Sequence, residues 1–230
     1  MPDIRGRAAH GAMSTASKAF YDLARTLITG WTKLFWRMPV VNGDRIPTDG
    51  PFIVAPGGHR SNLDTVVLCA VSRRRLRYMG KHSLWEAGAF GAWFLTSLGG
   101  FPVNRDAADR EALRVCQEVL GRGEPLVVFP EGLRQEGPLI QPLKDGAAFL
   151  ACRSGAPIVP VGLGGTERAM PRGSKWIRPS RLVMLVGEPI HPPPRGQGER
   201  VKRSQIRALT AELHETLQDL FDEAQIRAGV

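Results

Sequence analysis

The sequence predicts an α/β fold, a mostly parallel central sheet flanked by helices, with an N-terminal amphipathic helical segment ahead of it. Three observations predict it. Short apolar runs alternate with helical stretches along residues 39–230. Those runs are apolar throughout rather than at every second residue, as strands covered on both faces are. A chain of 230 residues with 43% hydrophobic and 23% charged residues fits one globular domain and is too apolar for disorder. At that length it can bury roughly 70% of its surface on folding.

Residues 1–13 are expected as a loose tail. Across 14–38 the apolar positions Ala16, Phe20, Leu23, Leu27, Trp31, Leu34 and Met38 recur at steps of three and four, and Ile28 and Phe35 widen the stripe. That spacing predicts an amphipathic helix. Its other face carries Lys18, Arg25, Thr29, Lys33 and Arg37. An apolar stripe with Trp31, Phe35 and Trp36 near one end and cations opposite suits a helix lying in a membrane interface. The same stripe would suit packing against a domain core. Residues 51–56, Pro-Phe-Ile-Val-Ala-Pro, read as a buried strand between breakers. A helix is expected at 61–72, a strand at 76–79, a helix at 83–98, a short strand at 101–103 and an amphipathic helix at 106–120. Strands at 126–129, 157–163 and 182–186 follow, with helices at 146–154 and 205–226. Residues 192–198, Pro-Pro-Pro-Arg-Gly-Gln-Gly, read as a linker before the last helix.

The 31 Lys and Arg residues outweigh 22 Asp and Glu, for a net charge of +9. That excess calls for an anionic partner: a phosphate-bearing substrate, an anionic lipid surface or nucleic acid. Cys69, Cys116 and Cys152 are odd in number, far apart and set among apolar residues. Buried free thiols in a reducing, cytoplasmic setting are therefore expected. The first residues do not read as a secretory signal. A membrane span needs about 18 consecutive apolar residues. The nearest stretch, 87–104, is broken by Gly88, Gly91, Gly99, Gly100 and Pro102, so no transmembrane helix is expected.

Ligands of open α/β sheets bind at the carboxyl ends of the strands, so the strand-to-helix junctions carry the search. The first junction is Gly57-Gly58-His59-Arg60-Ser61-Asn62-Leu63-Asp64. Gly57 and Gly58 let the chain turn sharply, and Ser61 or Asn62 can cap the helix. With His59 in the loop and Asp64 in the first helical turn, the carboxylate can reach one ring nitrogen and leave the other as a base near neutral pH. The plainer alternative is an acid near a positive helix end beside a loop histidine. The second junction, 99–105, and the third, Phe129-Pro130-Glu131-Gly132-Leu133-Arg134, place Arg105 and Arg134 just past strands. A guanidinium fork there suits bidentate capture of a phosphate. Either arginine alone would equally suit a surface ion pair.

Together these residues resemble the PlsC-like glycerolipid acyltransferase family, which includes 1-acylglycerol-3-phosphate and glycerol-3-phosphate acyltransferases. His59-Arg-Ser-Asn-Leu-Asp64 is similar to its His-x4-Asp motif, and Gly100 to Arg105 to its second motif. Phe129 to Arg134 is similar to its Phe-Pro-Glu-Gly-Thr-Arg, with Leu133 in place of Thr. Ala156-Pro157-Ile158-Val159-Pro160-Val161 is similar to the fourth. Four motifs in order make the match specific over residues 54–161.

The resemblance implies an acyltransferase of phospholipid biosynthesis. It would move a fatty acyl group from acyl-CoA or acyl carrier protein to a hydroxyl of glycerol 3-phosphate, lysophosphatidic acid or another lysophospholipid. His59 would act as general base without an acyl-enzyme, and Asp64 would orient the imidazole and stabilise its protonated form. Arg105, Arg134 and Lys81 would hold the acceptor phosphate, with Glu131 and Gly132 in the same site. Gly58, Ser61, Asn62, Pro130 and Pro160 enter as motif residues. Backbone N–H groups of residues 57–60 are expected to cradle the oxyanion. No cofactor and no metal are implied. The implied location is peripheral, on the anionic cytoplasmic face of the cell membrane.

Two other classes use the same features. A thioesterase or hydrolase would turn the His59–Asp64 pair on water or on Ser61, although no Gly-x-Ser-x-Gly surrounds that serine. A non-enzymatic basic module binding lipid or nucleic acid would explain the charge but not residues 57–64. No nucleic-acid motif appears, and no nucleic-acid partner is expected. Residues 84–98 are expected as a buried core helix, with the wall of an acyl-chain pocket as the alternative. Two basic clusters are left over: Arg73, Arg74, Arg75 and Arg77, and the group Arg168, Arg172, Lys175, Arg178 and Arg181 around Trp176. Each reads as a solvated face, or as a contact for anionic headgroups or the phosphates of coenzyme A.

Overall fold

The computed structural model describes residues 13–86, 88–103, 110–194, 196 and 199–230. Its strands are β1 (Val40–Val41), β2 (Ile53–Gly57), β3 (Arg77–Lys81), β4 (Gly100–Val103), β5 (Leu126–Val127), β6 (Ile158–Gly164) and β7 (Val183–Val186). Its α-helices are α1 (Thr15–Phe35), α2 (Leu63–Val67), α3 (Ala89–Ser97), α4 (Arg110–Gly121), α5 (Gly146–Ser154), α6 (Thr166–Ala169) and α7 (Arg203–Ala228). The strands form one sheet in the order β1-β7-β6-β2-β5-β3-β4. From β6 to β4 neighbours run parallel; β7 lies antiparallel to β6 and carries β1 parallel at the edge. This is the mostly parallel α/β sheet that the alternation of apolar runs and helices predicts.

The central strand shows why its run is apolar without alternation. Ile53 and Ala55 of β2 pack with Val119 of α4, Leu150 of α5 and Leu217 of α7. Phe52 and Val54 point the other way, onto Leu63 and Val67 of α2 and onto Trp36 and Met38. Both faces are covered, and each such aliphatic side chain contributes about 1.5–3 kcal/mol by leaving water.

Three expectations change. The helix expected at 61–72 is one short α-helix, α2, continued by a 3-10 turn at Leu68–Ala70. Thr65, Val66, Val67 and Val71 are β-branched and hold a helix weakly. The helix expected at 83–98 is divided by Gly88, whose φ of +110° no helix accepts, into a 3-10 turn at His82–Trp85 and α3. Nor is α3 a core helix: Phe90 is 76% exposed, and Leu84, Trp93 and Phe94 are exposed as well. The third change concerns the cluster 73–77, which is a solvated face only in part: Arg73 is exposed and Arg75 partly so, whereas Arg77 and Arg74 turn inward. Arg77 opens β3 with 1% exposure, its nearest acid being Glu124 at 3.8 Å, and Arg74 lies over the Phe52 ring.

The N-terminal helix docks on a flank. Ser17, Tyr21 and Thr32 are its buried residues, whereas Leu23, Leu27, Trp31 and Leu34 are exposed. At about 100° per residue the two sets lie roughly a third of a turn apart. The docked flank is largely polar. Ser97 Oγ donates to Ser17 Oγ at 3.0 Å, and the Leu76 N–H donates to the Tyr21 hydroxyl at 2.9 Å. Asp22 pairs with Arg75 at 2.5 Å. Phe20 meets Trp93 and Phe94 of α3 with ring centroids 5.2 and 5.8 Å apart, joining the outward stripe of α1 to the exposed aromatics of α3. The middle of the apolar stripe, Leu23 to Leu34, therefore does not pack on the domain core, whereas Met38 at its end does. No described helix is long and apolar enough to cross a membrane.

Candidate active site

The carboxyl end of β2 delivers the first junction. Gly58 turns the chain at φ +71°, and a Cβ there would stand 2.1 Å from the Phe221 ring of α7, so only glycine fits. The turn places His59 in the loop and Asp64 in the first turn of α2. His59 Nδ1 lies 2.8 Å from Asp64 Oδ2. The backbone N–H groups of Arg60 and Ser61 donate to that same oxygen, each at 2.8 Å. Asp64 is wholly buried, while the histidine side chain keeps 14% exposure. A carboxylate so placed accepts from Nδ1–H and fixes the tautomer, which leaves Nε2 with its lone pair. The ring rests on Phe129, centroids 4.2 Å apart.

A second carboxylate holds the same loop from the other side. Glu131 Oε1 accepts the His59 backbone N–H at 3.0 Å. Its Oε2 accepts from Arg60 Nη1 at 3.1 Å and from the Gln141 N–H at 3.2 Å. Arg60 is itself buried; it also donates from Nε to Gly137 O at 3.1 Å and from Nη2 to Leu139 O at 2.8 Å, and it lies over the Phe221 ring. Glu131 is fully enclosed, and both its oxygens are engaged. Its carboxylate orders the loop from within. The same bonds correct the oxyanion expectation: of residues 57–60, the N–H groups of His59 and Arg60 are committed to the two carboxylates.

The expected phosphate cations fall in different places. The turn holding Gly132 and Arg134 is laced to the histidine, because the Gln135 N–H donates to His59 O at 2.8 Å. Arg134 is half-buried beside it. Lys81 is exposed at the carboxyl end of β3, two strands from β2. Arg105 lies outside the described residues. Pro130 is buried and its carbonyl accepts the Lys144 N–H at 2.9 Å; Pro160 sits in β6 opposite Ala55. Asn62 is exposed and makes no capping bond, whereas Ser61 Oγ accepts the Leu63 N–H at 3.2 Å and donates to Met170 O at 2.8 Å.

Two residues of the site escape the sequence reading. Arg60 stands inside the first motif, but nothing local says that its side chain turns inward. Lys144 folds over Gly132: a Cβ on that glycine, at φ +76°, would meet Lys144 Cε at 2.9 Å and Nζ at 3.2 Å. The positive-φ glycine was the available signal, but the partner is twelve residues away. The three cysteines are buried and unpaired as expected. Burial pushes the Cys69 and Cys116 thiols from 9.0 up to about 12, far from nucleophilic.

The chain matches the Acyltransferase family model over residues 37–164. It is 27% identical over 160 residues to a chloroplastic 1-acyl-sn-glycerol-3-phosphate acyltransferase of Brassica napus, covering 68% of this chain and 46% of that protein. The chain thus spans about half the length of that relative. It is 30% identical over 184 residues to the 1-acyl-sn-glycerol-3-phosphate acyltransferase of Haemophilus influenzae, covering 78% of this chain and 73% of that one. Among solved structures, the 1-acyl-sn-glycerophosphate acyltransferase PlsC of Thermotoga maritima shares the fold with a TM-score of 0.66 at 23% identity, over 94% of this chain and 86% of that one.

Proposed function

The chain belongs to the Acyltransferase family, and from that membership we propose that it transfers a fatty acyl group from a thioester to the free hydroxyl of a 1-acylglycerol 3-phosphate. One observation carries the reading: a partly exposed imidazole whose Nδ1 lies 2.8 Å from a wholly buried carboxylate oxygen that two backbone N–H groups also hold. Nε2 of His59 takes the hydroxyl proton as the oxygen attacks the thioester carbonyl. Asp64 stabilises the imidazolium while retaining its Nδ1–H. The tetrahedral oxyanion then collapses, the C–S bond breaks, and Nε2–H returns the proton to the leaving sulfur. No bond to the protein forms.

Arg134 and Lys144 flank the Gly132 turn beside His59 and supply positive charge for the acceptor phosphate; Arg105 and Lys81 are proposed as further holders. Glu131 and Arg60 act as positioning residues. The donor is acyl-CoA or acyl carrier protein. The outward stripe of α1, continued by Phe90, Trp93 and Phe94, lies in the membrane interface, where the lipid acceptor resides.

The test is a purified-protein assay with palmitoyl-CoA against lysophosphatidic acid, glycerol 3-phosphate and an unphosphorylated monoacylglycerol. Thiol release matched by acylated lysophosphatidic acid is expected. Arg134→Ala and Lys144→Ala should raise KM for the phosphorylated acceptors while leaving monoacylglycerol unaffected. Thiol release that is indifferent to acceptor would instead assign the site to a thioesterase.

A further inference from the structure

We propose that residues 171–181 form a second membrane contact, a tryptophan-tipped basic loop that takes the phosphates of anionic lipid headgroups beside the end of α1. This rests on the interfacial reading of α1 and extends it to a part of the fold that the catalytic site does not use. The loop joins α6 to β7. At its tip Trp176 is 81% exposed and Ile177 43%, in a protein whose other tryptophans are less exposed.

The loop presents this indole by construction. Ser174 Oγ donates to Trp176 O at 3.0 Å and accepts the Trp176 N–H at 3.1 Å, which closes the turn and leaves the ring outward. Lys175, Arg178 and Arg181 are all exposed around it. Among the described residues no ion pair engages these three, whereas Arg172 is bridged to Glu136 at 3.0 Å.

Its base ties the loop to the membrane helix. Trp36 Nε1 donates to Arg178 O at 3.0 Å, and the Arg178 N–H donates to Ala169 O at 2.8 Å. From Trp36 the rings run back along α1: Trp36 against Phe35 at 5.4 Å, and Phe35 stacked on Trp31 at 4.8 Å. The outward stripe of α1 thus reaches Trp31, from which the rings pass inward through Phe35 to the buried Trp36 at the foot of the loop. An amphipathic indole prefers the headgroup level of a bilayer, and cations beside it are drawn to anionic lipid. A nucleotide-phosphate site would enclose its cations; these stand exposed on a protruding tip with an aliphatic neighbour.

The experiment measures partition of the full chain onto vesicles of phosphatidylcholine alone and onto vesicles with about one-third phosphatidylglycerol. The triple variant Lys175→Gln, Arg178→Gln, Arg181→Gln should bind the anionic vesicles about 100-fold more weakly, at about fivefold per cation, and the neutral ones as wild type does. Trp176→Ser should weaken both several-fold. Wild-type partition of the triple variant overturns the proposal. So does unchanged partition joined to a raised KM for palmitoyl-CoA in detergent, which would give the cations to the coenzyme. A parallel Leu27→Asn, Leu34→Asn pair separates the two readings: unchanged partition there sinks the interfacial α1, and full dependence on that pair alone sinks the loop.

Discussion

Two regions of this molecule bury polar atoms in opposite ways. At the carboxyl end of β2, Asp64, Glu131 and Arg60 converge on one loop, and together their hydrogen bonds fix the His59 ring, its backbone and the turn that follows. Under α1 the seam is polar and thinner: the serine pair, the Tyr21 hydroxyl and one ion pair at 40% exposure hold the helix. Both regions leave buried polar atoms without a partner, Asp64 Oδ1 in the first and the Arg25 Nε and Tyr78 hydroxyl in the second. Each such orphan costs about 1–3 kcal/mol. The first region is held by enclosed hydrogen bonds within the fold. The second keeps its most apolar residues in water, so its stability depends on what covers them.

The largest effect tests the first half of that contrast. His59→Ala should lower kcat by about 10²–10⁴-fold, the contribution of a positioned general base, in a protein that still folds, because Asp64 keeps the Arg60 and Ser61 N–H bonds. Turnover within tenfold of wild type would remove the base from the mechanism. Next comes the clamp. Arg60→Gln leaves Glu131 buried without its cation, which costs about 3–5 kcal/mol. It also frees the loop, where misplacement by 1 Å can cost about 10²-fold in rate. The kcat should fall while KM for the acceptor holds, and Arg60→Lys should restore little, since one ammonium cannot reach Gly137 O, Leu139 O and Glu131 together. A variant with normal kcat would make the clamp purely structural.

The sequence exposed these two regions unequally. The His59–Asp64 pair was legible because it is local: five residues, a glycine turn and a helix start put the two together whatever the rest of the chain does. The clamp was not, because Arg60, Glu131 and residues 137–141 meet through the tertiary fold. For α1 the spacing predicts the helix and its apolar side, and the exposed Leu23, Leu27, Trp31 and Leu34 are compatible with the interfacial reading. A spacing of three and four shows that the helix has an apolar side but not that Ser17, Tyr21 and Thr32 face inward; the partner surface, Ser97 and Leu76, decides that. Residues 84–98 failed for the same reason. Their hydropathy is that of a core, but α3 sits at the sheet's edge beside α1, where only Ala92 and Ser97 are covered.

A smaller effect probes the seam. Burial raises Tyr21 from 10.0 and Cys69 from 9.0 to about 12 each. Both groups hold their protons more tightly folded than unfolded. Their contribution is complete below pH 9, and it is lost as the unfolded chain ionises between pH 9 and about 12. The unfolding midpoint should therefore fall steeply over that range, and Cys69→Ala should flatten the slope even as it lowers the plateau. An unaltered slope would mean that the thiol is not sealed beneath the helix.

The smallest effect returns to the catalytic loop and separates direct transfer from an acyl-enzyme. The Ser61 hydroxyl is spent on two bonds, donating to Met170 O and receiving the Leu63 N–H, and the residue is wholly buried. A hydroxyl that caps a helix and anchors a neighbouring strand connection cannot also swing onto a thioester without breaking both. Ser61→Ala should lower stability by about 1–2 kcal/mol, and turnover should drop no more than severalfold, through slight loosening of α2. A nucleophile would behave otherwise: its loss would match that of His59→Ala, and intact-mass analysis of wild type under palmitoyl-CoA would reveal a trapped acyl adduct. Seeing either would move this serine from scaffold to chemistry and make its two hydrogen bonds a resting state rather than the working one.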